Sequence, residues 1–211
     1  MSHIEAEIKL AGETFDELYQ RLIAAGCTLE LVTPRHFEDN WLFDTPTRSL
    51  LASRQALRVR LRDDLPQATL THKGPPAGTA GNEAKGQQEQ GRQAKVREEI
   101  ELTVSDGRAL MRLLERLGFE KVFRYQKFRT TYRLTHPTGL TLWAMFDETP
   151  IGWFLELEGD ETTLERLVAQ LGLGPGDYLT DAYPRLQAER CRAAGRPLED
   201  MTFTLPTGNG R

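Results

Sequence analysis

Cysteine is nearly absent from this chain. Only Cys27 and Cys191 occur in 211 residues, far apart and without a CxxC or a neighbouring His cluster, so neither a disulfide framework nor a zinc site is indicated. Both are expected to be small core or helix residues. Long apolar runs are missing as well. None approaches the roughly 20 residues that span a bilayer, and Met1 to Leu10 has neither the charged start nor the apolar middle of a signal peptide. The expected location is the cytoplasm, with no membrane partner. Positive charge is not in excess either: 27 basic against 31 acidic residues leave a net charge of −4, so no global pull towards nucleic acid exists and any basic site is local.

What the chain does have is charge in pairs. Glu5-Ala6-Glu7-Ile8-Lys9 puts two carboxylates and an ammonium on alternate positions, with Ile4, Ile8 and Leu10 in the other register, as a strand does when it presents charge on one face. The pattern returns as Glu99-Ile100-Glu101 and Glu156-Leu157-Glu158, while other strand-like segments carry basic pairs, Arg58 with Arg60 and Lys127 with Arg129.

Length and composition predict one domain over residues 1–195, with an insertion. Within it the chain repeats. Adding 92 to Leu18, Leu22 and Gly26 gives Leu110, Leu114 and Gly118, two amphipathic segments each with a glycine stop, and adding it to Arg35 gives Lys127. Each half continues with strands: Arg35 to Phe43, Ala56 to Arg62 and Ala68 to Lys73 in the first, Tyr125 to Leu134, Leu140 to Phe146 and Trp153 to Glu158 in the second. Two further helices are predicted at Thr162 to Leu171 and Asp181 to Ala194. Residues 75–95 turn to Gly, Gln, Ala and Pro and read as a flexible loop joining the halves, and 196–211 reads as a weakly ordered tail. The fold class is α+β, with about eight strands forming either a sheet with one wet face or a closed barrel with a polar lumen.

Two carboxylates at i and i+2 on a strand face lie roughly 7 Å apart and repel by on the order of 2 kcal/mol at an effective dielectric near 20. Pairing like with like three times over implies absent counterions. The acidic pairs suit a hard divalent cation with oxygen ligands, and the basic pairs suit a polyanion. Together they describe a metal-triphosphate site, although no Walker A or Rossmann glycine pattern is present.

These segments, with Leu57-Arg58-Val59-Arg60, Leu70-Thr71-His72-Lys73-Gly74-Pro75, Arg97-Glu98-Glu99-Ile100-Glu101, Asp147 and Phe154-Leu155-Glu156-Leu157-Glu158-Gly159, resemble the CYTH family of triphosphate tunnel metalloenzymes over about residues 3 to 190. The resemblance implies a closed barrel of eight antiparallel strands built from two repeated halves with flanking helices, and Mg2+ or Mn2+ as cofactor. It implies that Glu5, Glu7, Glu156 and Glu158 hold metal, and that Glu99, Glu101 and Asp147 assist as ligands or water-orienting groups. Lys9, Arg58, Arg60, Lys73, Lys127 and Arg129 would grip phosphates, and Arg185, on the C-terminal helix, would add a contact. Arg97 shares the parity of Glu99 and Glu101 and either joins them or balances their charge.

The implied ligand is inorganic triphosphate, ATP or thiamine triphosphate, and a homodimer is compatible with the family. Hydrolysis by metal-assisted water attack is favoured, because water needs no nucleoside pocket. Cyclisation of ATP to cyclic AMP and pyrophosphate, as in class IV adenylyl cyclases, is the alternative. A non-catalytic nucleotide or polyphosphate binder is disfavoured, since carboxylates beside an anion weaken its binding, and an RNA binder is disfavoured by the acidic faces. His36 and Asp39 are expected to be packing or surface residues, and Trp41, Trp143 and Trp153 core residues rather than stacking platforms.

Overall fold

Alternation decides which side of each strand is wet. Along β1 (Ser2–Gly12) Ile8 and Leu10 are fully buried, and along β8 (Gly152–Gly159) so are Leu155 and Leu157. They meet Leu18 and Leu22 of α1 (Phe15–Ala24) and Leu164 and Leu167 of α4 (Glu161–Gln170) in one apolar cluster. The charged residues at intervening positions face the other way. The computed structural model describes the backbone of residues 2–76, 95–174 and 176–204, and the side chains of 6–75, 97–174 and 176–204.

The remaining elements are β2 (Thr28–Asp44), α2 (Ser49–Ala52), β3 (Ala56–Arg62), β4 (Ala68–Pro76), β5 (Lys95–Val104), α3 (Gly107–Arg116), β6 (Glu120–Thr135), β7 (Thr141–Thr149) and α5 (Tyr183–Ala193). All strand pairs are antiparallel, in the order β1-β5-β4-β3-β2-β6-β7-β8, and β8 pairs in turn with β1. β1 pairs with β5 and β8 alone, both from the second half. β5 pairs with β1 and β4, both from the first. Of the predicted joining loop, 77–94 lies outside the described residues. Its ends at 75, 76 and 95 belong to strands.

The repeat is physical. Thr14 caps α1 by accepting from the Glu17 N–H, and Asp106, again 92 residues on, caps α3 by accepting from the Ala109 N–H. Gly26 and Gly118 end the two helices at φ +79° and +93°, a left-handed turn that lets the next N–H reach back to Leu22 and Leu114 respectively. Space around a Gly118 Cβ is open, so the cost of a side chain there is conformational alone. Gly118→Ala is expected to lower the unfolding free energy by about 1–2 kcal/mol, read as a lower urea midpoint at unchanged slope.

At one position the repeat breaks. Arg35 and Lys127 were matched by the spacing, yet Arg35 is exposed and bonded to Glu148 while Lys127 is buried. The register of β2 against β6 shifts between Leu31 and Thr33 and again between Thr33 and His36. These bulges, around Pro34, insert residues on β2 only and change which face each side chain takes.

The segment from 196, expected as a weakly ordered tail, is described as far as 204 and reaches back to β6. β6 extends beyond β7, whose pairing stops at Phe128, and leaves a strand edge open at residues 124–126. Met201, 1% exposed, fills it, donating to Arg124 O at 2.9 Å and accepting from Gln126 N at 2.8 Å. An unpaired buried edge is costly, and a short apolar segment relieves it. Residues 205–211 lie outside the described residues.

Candidate functional site

The charged faces converge on a cavity of about 310 Å³. Among the described residues its lining holds eight Lys or Arg side chains (residues 9, 58, 60, 62, 73, 97, 127 and 129) and six Glu side chains (7, 38, 99, 101, 156 and 158). A chain with net charge −4 thus gathers cations and carboxylates together in its interior.

One wall is organised by Asp147 of β7, which is fully buried. It accepts from Lys127 Nζ at 2.8 Å, from Arg129 Nε and Nη2 at 2.7 Å each, and from the Tyr183 hydroxyl at 2.6 Å. Arg129 also bonds Glu156. Lys9, 2% exposed, lies 3.1 Å from Glu7 Oε1 and 3.4 Å from Glu156 Oε1. Burial alone would discharge Lys9, but the charges of Glu156 and Glu7 outweigh it and hold the ammonium above its ordinary range. Burial would likewise protonate Glu156, and Arg129, Lys9 and Lys127 instead keep it well below the usual carboxylate range. Tyr183 is pushed well up by burial and by the charges of Asp147 and Glu156, which fixes its hydroxyl as a donor.

The facing wall comes from β2 to β5. Arg58 donates to Tyr125 Oη at 3.2 Å and to Thr71 Oγ1 at 3.1 Å, and Thr71 donates to Glu101 at 2.7 Å. Lys73 is ion-paired with Glu99. Glu38, 1% exposed, lies 3.2 Å from Arg60 Nη1 and 3.6 Å from Lys127 Nζ. Burial would raise its pKa, yet Arg60, Lys127 and Arg129 hold it well below the ordinary value.

Of the residues predicted for the site, Glu7, Lys9, Arg58, Arg60, Lys73, Glu99, Glu101, Lys127, Arg129, Glu156 and Glu158 line the cavity. Asp147 stands behind the lining, holding two of its cations. Glu5 sits opposite Arg97 in the β1–β5 register, and its side chain lies outside the described residues. Arg185 is not brought in. Its side chain is 68% exposed and bonded to Asp181 and Glu189 on its own helix face.

The inference of absent counterions also needs correction. Like charges do sit at i and i+2 along each strand, but nearby strands supply partners: Glu99 and Lys73 are register neighbours on β5 and β4, Glu156 and Lys9 on β8 and β1, and Glu156 also bonds Arg129. Asp39 faces outward, clamped to Arg124. Trp143, expected in the core, is 40% exposed on the outer face.

Sequence reasoning missed Glu38 and Tyr125, and read His36 as a packing or surface residue. All three line the cavity. The signal was parity: His36, Glu38 and Asn40 are buried at alternate positions of β2, a polar series that only a wet interior accommodates.

As a metal site the donor set is apt in kind. Glu7 and Glu158 are register partners across β1 and β8, and both face the cavity with Glu156, an all-oxygen set suited to Mg2+ or Mn2+. Among the described residues, however, no three His, Cys, Asp or Glu side chains are grouped so as to hold a metal ion.

A family model described as the CYTH domain matches residues 3–183. A protein of Methanocaldococcus jannaschii, named as a candidate adenylate cyclase, is 26% identical over 155 residues, covering 74% of this chain and 76% of the relative. Among solved structures, a Pyrococcus horikoshii protein superposes with a TM-score of 0.65 at 25% identity, covering 88% of this chain and 99% of its own. A candidate adenylyl cyclase from Hippeastrum, described as having a dominant triphosphatase activity, shares the fold with a TM-score of 0.54 at 22% identity over 95% of this chain and 100% of its own.

Proposed function

Because this chain belongs to the CYTH domain family, we propose that it is a divalent-metal-dependent enzyme that hydrolyses inorganic triphosphate or a simple organic triphosphate, with the ring of eight strands acting as a closed tunnel. The observation that carries this reading is a cavity whose described lining carries eight basic and six acidic side chains. Lys9, Arg58, Arg60, Lys73, Lys127 and Arg129 grip the phosphates, and Arg185, committed to Asp181 and Glu189, is left out.

In the free protein these cations are occupied by carboxylates. An entering triphosphate exchanges partners with them: Lys73 leaves Glu99, and Lys9 leaves Glu7 and Glu156, for phosphate oxygens. The carboxylates Lys9 releases, Glu7 and Glu156, together with Glu5 and Glu158, would hold Mg2+ or Mn2+. That ion would offset phosphate charge and lower the pKa of a bound water. Asp147 and Tyr183 keep Lys127 and Arg129 aimed at the ligand throughout, so the clamp needs no reorganisation when charge develops. Glu99 and Glu101 are then placed to orient the attacking water.

The second reading is cyclisation of ATP, favoured by the name of the Methanocaldococcus relative. There the ribose 3′-hydroxyl attacks the α-phosphorus and pyrophosphate leaves. Incubation with triphosphate, ATP and thiamine triphosphate, with and without Mg2+ or Mn2+, separates the two. Phosphate release is the expected product, cyclic AMP with pyrophosphate would shift the assignment to cyclase, and metal-dependent binding without product would make it a sensor. A Glu5→Gln, Glu7→Gln variant is expected to lose metal-dependent turnover by at least about a hundredfold; full activity would remove both from the metal site.

A further inference from the structure

One titratable group in the cavity has no part in the clamp. His36 of β2 is 4% exposed, and its Nδ1 lies 2.9 Å from Pro34 O. A carbonyl oxygen can only accept, so Nδ1 carries a proton in either ring state. Nε2 is therefore the atom that titrates. It lies 3.5 Å from Glu38 Oε1 and has no hydrogen-bond partner among the described residues, nor has Glu38 Oε2. Both residues line the cavity. With the ring neutral, a lone pair faces a carboxylate and a buried acceptor is left without a donor. With the ring charged, Nε2–H points at an anion.

The charges around the ring come from three strands and a turn. Glu38 lies on its own strand; Arg60 and Arg62 come from β3, and Lys127 and Arg129 from β6, with Arg129 opposite His36 in register. Asp64, after β3, is within electrostatic reach, and neighbouring Asp63 accepts from the Phe37 N–H at 2.8 Å. Further back, Asp147 of β7 holds Lys127 and Arg129, Glu156 of β8 also bonds Arg129, and Arg62 is paired with Asp64, so the cations around the ring are already matched by carboxylates. A polyphosphate bound to those same cations adds negative charge beside the ring.

We propose that His36 is a proton-coupled anion contact: when a polyphosphate enters the cavity, Nε2 takes up a proton from the buffer and the new N–H is shared between Glu38 and a phosphate oxygen. The inference rests on the triphosphate reading above and adds a group that makes affinity depend on pH.

The test is calorimetric titration of the full chain with tripolyphosphate, with and without Mg2+, in buffers of different ionisation enthalpy across about pH 6 to 9. Wild-type protein is expected to take up about one proton more per ligand at the maximum than His36→Asn, whose amide can still donate to Pro34 O. In that range its affinity weakens by up to about tenfold per pH unit, a dependence the variant lacks beyond that of the ligand itself. Binding with equal proton counts would overturn this inference and leave the triphosphate reading standing. No binding by the wild type under either condition would overturn both. Should the variant fail to fold, nitrogen NMR of the wild-type ring decides: conversion of His36 from its Nδ1–H neutral form to imidazolium on adding tripolyphosphate is expected, and a ring state unchanged by ligand at every pH overturns the proposal.

Discussion

Arg129→Leu is expected to destabilise the fold by about 3 kcal/mol. Arg129 joins two carboxylates that have almost no access to water. It contacts Asp147 with two nitrogens at 2.7 Å and also bonds Glu156. Removing it leaves both carboxylates in a low-dielectric wall with one cation fewer. Lys127 still serves Asp147 and Lys9 still serves Glu156, which keeps the effect at the lower end of the range for breaking a buried pair.

In a domain of this length the loss corresponds to a Tm lower by roughly 6–12 °C, and urea unfolding would show it as a lower midpoint. Arg129→Lys, which keeps the charge without the fork, is expected to lie between the variant and the parent chain. In Arg129→Leu with Asp147→Asn, part of the loss is expected to return, because one stranded charge has gone; strictly additive losses would mean the two residues are not coupled.

The second large effect is on pH. Stability is expected to hold from about pH 5 to 10 and to fall on both sides. On the acid side, Glu38 and Glu156 have folded values well below the ordinary one, so the unfolded chain takes up protons first. Their contribution is complete above the unfolded value of about 4.3 and is lost as pH falls towards the folded values, at up to about 1.4 kcal/mol per pH unit for each group. On the alkaline side Lys9 and Tyr183 are both raised. The folded state then holds protons the unfolded chain releases, and stability declines above about pH 10. Urea titrations at a series of pH values would read both limbs. A curve flat down to about pH 2 would mean that the two glutamates are solvated rather than held by their cations.

Much of this architecture is legible in the sequence, for definable reasons. Period-two alternation located the strands because apolar Ile8, Leu10, Leu155 and Leu157 must all meet the outer helices. The repeat was legible because capping and glycine stops obey local rules at a fixed spacing. The clamp was legible as pairs, since Arg58 with Arg60 and Lys127 with Arg129 are close in sequence. Glu38 and Tyr125 were not, because neither forms a like-charge pair with a neighbour two residues away and the cations they meet lie far along the chain, Arg60 for one and Arg58 for the other. The ion pairs of Arg185 were open to a local reading: Asp181 and Glu189 stand four residues to either side, the helical spacing of ion pairs. The bulges in β2 left only Pro34 as a trace, which marks irregularity without saying how many residues are inserted.

The exchange of opening strands between the halves has a consequence for how the chain is made. β1 finds no partner among β2, β3 and β4; its neighbours are β5 and β8, so the β1 segment, once made, waits for residue 159. Such long-range pairing slows folding. It also means that Lys9 stays hydrated until β8 arrives, and β8 carries both its register partner and its counterion in the single residue Glu156. Dehydration of the ammonium and arrival of the carboxylate are thus one event, and the nascent chain never has to bury that charge alone.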